Sequence, residues 1–141
     1  EAEKEIMRRM AGHAPVALER IARPEEILAA RREIADLYMD EKIADYILDL
    51  VLASREPGQY GLAELAPLIE YGASPRASIA LAVCARAHAY LRGRGFVLPE
   101  DVKAIAPAVL RHRIITSYEA EAEEVTPDDI VRRILGAVEV P

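Results

Sequence analysis

Apolar positions along the chain recur in steps of three and four far more often than in steps of two, which predicts helices almost throughout. The plainest case runs from Asp40 to about Ser54. Ile43, Tyr46, Ile47, Leu50 and Val51 follow the 3.6-residue period, Asp45 and Asp49 fall towards solvent, and Asp40 suits the N-cap. An earlier helix begins at Pro24, a residue preorganised for the first helical position, with Glu25 and Glu26 favourable to the dipole. Ile27, Ile34 and Tyr38 share one face of it, and it ends near Met39. Residues 1–10 read as a short amphipathic helix with Ile6 and Met10 on one side, closed by Gly12 and followed by Pro15.

Past Ser54 the pattern weakens. Glu56 to Gly61 is dense in chain breakers and reads as a loop, and Leu62 to Glu70 has no firm period. The strongest helix follows, with Ser74 at the N-cap, Pro75 first inside it, an alanine-rich body to about Arg92, and Gly93 and Gly95 as stops. Two further helices open on nearly the same phrase, VLPEDV at 97–102 and VTPDDI at 125–130, each with proline first and two acids in the opening turn. This is shared capping chemistry, not a sequence repeat. Pro107 is expected to break the first of the two near Ala106, with Ala108 to Arg113 as a further turn. Ile130, Val131, Ile134 and Leu135 give the last helix its buried face. The expected fold is all-α, a small helical bundle.

Composition agrees and narrows the function. The chain has 141 residues, 52% of them hydrophobic, enough apolar material for one domain with a core. A net charge of −6 and a pI near 5.1 disfavour wholesale binding to nucleic acid. Cys84 is the single cysteine, so no internal disulfide can form, and a reducing cytoplasm is the natural compartment. No run approaches the length of a membrane span, and the charged opening EAEKEIMRRM is unlike a signal peptide. No membrane association is expected.

One residue breaks the pattern. On a helical wheel Ile79, Ala80, Val83, Ala87, Tyr90 and Leu91 fall within one arc, expected to be buried, and Arg76 lies in its middle. A guanidinium there is costly unless paired or solvated, and a cation in the first turn opposes the helix dipole. Two compensations are open. The exposed N–H groups of the helix start and Arg76 could together receive an anion such as phosphate. Alternatively, Arg76 could run past Ala77 to pair with a carboxylate such as Glu70.

The string GASPRA at 72–77, its alanine-rich helix, and GRGFVLPEDVKAIAPAVLRHRI at 93–114 resemble the C-terminal lid of MoxR-type AAA+ ATPases. The likeness extends to DEKIADYI at 40–47 and to the helix end at Ser54-Arg55. It implies that residues 13–141 are the lid and residues 1–12 the trailing helix of an absent AAA+ core or a linker. It also implies that Arg76 is the sensor-2 residue, reaching the γ-phosphate of ATP and coupling hydrolysis to movement of lid against core, with Ser74 and Pro75 setting the helix start. ATP and Mg would be bound mainly by the core. The parent would form a homo-oligomeric ring, typically a hexamer, that matures or assembles partner proteins in the manner of a chaperone, often beside a von Willebrand factor A domain protein. The chain itself has no G-x-x-x-x-G-K-[ST] phosphate loop and no paired acids for Mg²⁺, so no catalysis is expected of it alone, and no catalytic residue is assigned. The competing reading is a stand-alone helical interaction module without nucleotide contact. A helix-turn-helix DNA binder is weakened by the acidic charge and the lack of a basic recognition helix.

The remaining candidates read as structural. Arg111, His112 and Arg113 form a basic corner at a helix end, where cations suit the dipole, or a contact with a neighbouring subunit; Arg92 and Arg94 admit the same two readings. His13, His88 and His112 lack metal-ligand spacing, so no metal site is expected. Cys84 has no local histidine and reads as a small packed side chain. The acidic run Glu119 to Glu124 reads as a solvated loop that could meet a basic partner.

Overall fold

The structure, a computed structural model, describes residues 2–11 and 19–141; the expected stops at Gly12 and Pro15, and His13, lie outside the described residues. The chain order is α1 (Ala2–Ala11), α2 (Pro24–Asp36), α3 (Glu41–Ala53), two 3₁₀ turns (Pro57–Tyr60 and Ala63–Leu68), β1 (Ile69–Tyr71) and α4 (Pro75–Leu91). Then come α5 (Pro99–Leu110), β2 (Ile115–Thr116), α6 (Tyr118–Ala122) and α7 (Pro127–Ala137). The fold is the expected helical bundle, with β1 and β2 adding one small antiparallel ribbon.

Helix starts follow the local chemistry. α2, α5 and α7 each begin proline-acid-acid, and in each the third residue's carboxylate accepts the N-cap N–H: Glu26 from Arg23 at 2.6 Å, Asp101 from Leu98 at 2.8 Å, Asp129 from Thr126 at 3.0 Å. Asp40 caps α3 by accepting the Lys42 N–H at 3.0 Å. α4 ends as its glycines require. Gly93 takes φ +70°, its N–H reaches Tyr90 O at 2.8 Å, and the Arg94 N–H reaches Ala89 O at 3.0 Å, a Schellman closure.

α4 is the central helix, packed against α2, α3 and α5. Its buried residues are Ala77, Leu81, Ala85 and Ala89, a stripe at every fourth position whose three alanines let neighbouring backbones come close. Around it lie the α3 face Ile43, Tyr46, Ile47, Leu50 and Val51, all buried as expected, and Ile130, Val131 and Ile134 of α7. Leu135 is only partly buried.

Four expectations are corrected. α2 stops at Asp36, and Tyr38 instead makes a parallel bridge to Phe96, its carbonyl accepting the Val97 N–H at 3.0 Å. Tyr38 therefore leaves the helical face it was expected to share with Ile27 and Ile34, and both Ile27 and Tyr38 are exposed. Pro107 does not break α5: Val102 and Ala106 before it, and Val109 and Leu110 after it, all bury on one side, and that packing outweighs one missing N–H. The acidic run is not all loop: its residues 119–122 lie in α6, because the Ser117 hydroxyl accepts the Ala120 N–H and Ala120 is buried. Among the described residues no helix is long and apolar enough to cross a membrane.

Candidate functional site

The GASPRA segment leaves β1 and turns onto the end of α3 before α4 begins. Ser54, fully buried, makes this junction: its hydroxyl donates to Val51 O at 2.6 Å and accepts the Ala73 N–H at 2.9 Å. Gly72 is held so close that a Cβ there would sit 2.3 Å from Ser54 O and 2.7 Å from Arg55 Cγ. Only glycine fits. Ser74 stands at the N-cap position with extended backbone, but its hydroxyl takes no hydrogen bond from the first turn, so α4 starts with Pro75 and without a side-chain cap.

Arg76 is exposed, not buried, and so are the larger aliphatic side chains of the arc it centres, while Ala80, Ala87 and Tyr90 are half-buried. Ile79 is 66%, Val83 54% and Leu91 82% exposed. The buried stripe of α4 lies instead on the opposite side of the helix, at Ala77, Leu81, Ala85 and Ala89. Arg76 makes no ion pair among the described residues, and the Glu70 pairing does not form. What remains is an uncapped helix start with an unengaged guanidinium and a line of bare apolar side chains behind it. The N–H groups of such a start and an arginine suit a phosphate. Among the described residues no group of three acids, histidines or cysteines converges as a metal site.

Residues 63–134, half of the chain, match the AAA lid domain family. The whole chain is 36% identical to the chaperone MoxR1 of Mycobacterium tuberculosis, covering 37% of that protein. Over 92% of its length it is 35% identical to the uncharacterised protein YeaC of Bacillus subtilis, covering 38% of it. A crystal structure from Cytophaga hutchinsonii, named only as a candidate ATPase, superposes with a TM-score of 0.90 at 40% identity, over 99% of this chain and 43% of that one. The chain is a AAA lid domain of the MoxR type. It spans less than half the length of the relatives it matches.

The structure brings together in the lid three residues that the sequence left apart. Asp101, fully buried at the start of α5, accepts from Arg94 Nη1 at 2.7 Å and from the Leu98 N–H at 2.8 Å, and lies 2.7 Å from His88 Nδ1. Burial alone raises this carboxyl's pKa, but the hydrogen bonds from Arg94, Leu98 and His88 outweigh burial and hold it at about 2. The cluster ties the end of α4 to the start of α5. Arg94 is thereby accounted for inside the lid, a role its local sequence did not announce because its partner comes seven residues later. Arg111 likewise pairs with Asp128 of α7 at 3.2 Å, while Arg92 and His112 are exposed. Cys84 is partly buried against the core.

Proposed function

We propose that this lid senses the nucleotide of a larger MoxR-type ATPase through Arg76. The observation that carries the reading is the outward face of α4. A helix with apolar side chains on both sides is suited to being sandwiched, and this chain fully buries only the stripe Ala77, Leu81, Ala85 and Ala89, leaving Ile79, Val83 and Leu91 bare. Ile79 and Val83 then rest on the AAA+ core, and Arg76, at the same end of the same face, reaches the γ-phosphate of ATP held there. Ser74 and Pro75 support that role by starting the helix without a cap that would occupy its N–H groups. The core holds Mg as well as most of the ATP. α1 is the trailing helix of that core or the linker from it.

At the level of the parent protein, the lid's movement couples hydrolysis to chaperone-like maturation or assembly of partner proteins. It works in a cytoplasmic homo-oligomeric ring, typically a hexamer, beside a von Willebrand factor A domain protein in the MoxR manner. The test is Arg76→Ala in the full-length protein. ATP turnover or its response to nucleotide should fall while the lid's melting temperature stays put, since Arg76 is exposed and pairs with nothing among the described residues. An unchanged rate would remove the nucleotide reading and favour a stand-alone interaction module.

A further inference from the structure

Arg76 can report on a phosphate only if the start of α4 is held in one place, and the usual device for that, a side-chain cap from Ser74, is absent. The hold comes instead from α3. Ser54 and Ala73 are both fully buried, and the Ser54 hydroxyl bridges Val51 O and the Ala73 N–H across a separation of 19 residues. Beside it, Gly72 lies against Ser54 O with no room for a side chain, so backbone meets backbone with nothing flexible between them. Arg76 stands three residues after Ala73.

We infer that Ser54 is the positioning residue of the sensor: its hydroxyl registers the Gly72-Ala73-Ser74 turn against the end of α3 and thereby aims Arg76. The inference rests on the reading of Arg76 as the nucleotide-facing group. It assigns Ser54 no contact with nucleotide. A hydroxyl is needed for the two bonds together, since the oxygen must donate to one backbone group and accept from another at once. Alanine can do neither, and cysteine does both weakly.

The experiment is a double-mutant cycle in the full-length protein, reading ATP turnover against ATP concentration for wild type, Ser54→Ala, Arg76→Ala and the pair. Ser54→Ala should lower kcat/KM by about 10-fold, within the range that small misplacements of a reacting group produce. Ser54→Cys should fall between, and it carries the same cycle if Ser54→Ala does not fold. The pair should be no worse than Arg76→Ala alone, because a residue acting through Arg76 has nothing left to aim. A Ser54 effect of full size in the Arg76→Ala background would mean a merely structural role and overturn the inference. Normal kinetics for Ser54→Ala beside impaired kinetics for Arg76→Ala would overturn it too, leaving the nucleotide reading intact. Normal kinetics for Arg76→Ala would overturn that reading and the positioning role with it.

Discussion

At the scale of single residues, similar sequence signals differ in what they contribute. Thr126 and Ser74 both stand at N-caps before a proline, but the Thr126 hydroxyl engages Asp129 and that of Ser74 engages nothing in its helix. Thr126→Ala should therefore cost about 1 kcal/mol in urea unfolding, and Ser74→Ala no more than roughly a few tenths. Asp101 sets the pH dependence. Its carboxyl, near 3.8 in an open chain, sits at about 2 in the fold. A depressed carboxyl stabilises fully above its unfolded value, and the contribution, about 2 kcal/mol for such a shift, is lost as the pH falls through the folded one. Asp129, also held at about 2, by the Thr126 hydroxyl and N–H and by Arg132, acts in the same direction. Unfolding midpoints followed from pH 6 to pH 2 should drop most steeply below pH 4, and Asp101→Asn should flatten that drop while lowering the plateau. A variant as pH-sensitive as the wild type would show that the cluster is not the cause.

At the scale of elements, the same helix shows what the sequence reveals and what it hides. α3 was legible because Asp45 and Asp49 mark its outer side, leaving one consistent inner face. α4 carries apolar residues nearly all round, so the wheel followed the larger side chains to Ile79 and Val83, when close packing required the smaller ones, Ala77, Ala85 and Ala89. The helix ends were readable, since proline, acids and glycine act through their nearest neighbours. Arg94 with Asp101, and Ser54 with Ala73, were not, because each joins two elements whose meeting only the fold decides. The two faces of α4 should separate under mutation. Leu81→Ala empties a fully buried position and should cost about 2–5 kcal/mol. Val83→Glu, on the bare face, should change stability by less than about 0.5 kcal/mol. Val83→Glu should nevertheless impair ATP turnover in the full-length protein. A Val83→Glu protein with normal turnover would mean that no core rests on this face.

At the scale of the whole molecule, the lid has a core of its own but only part of a binding site. Its buried residues run continuously from Leu37 to Val138, enough to fold without α1, whose described residues are all exposed. What it offers a nucleotide is one helix start and one arginine, without a phosphate loop in the sequence or, among the described residues, a converging set of metal ligands. A ligand that binds only the folded state raises its stability by RT ln(1 + [L]/Kd), so a site too weak to bind at millimolar nucleotide leaves the melting temperature where it was. The 141-residue chain, heated alone, should therefore melt in one cooperative transition that MgATP at about 1 mM does not move. The same nucleotide should raise the melting temperature of the full-length protein, and Arg76→Ala should reduce that rise. Stabilisation of the isolated chain by MgATP, abolished by Arg76→Ala, would instead mean that the lid carries a nucleotide site complete in itself, and that the core contributes hydrolysis but not recognition.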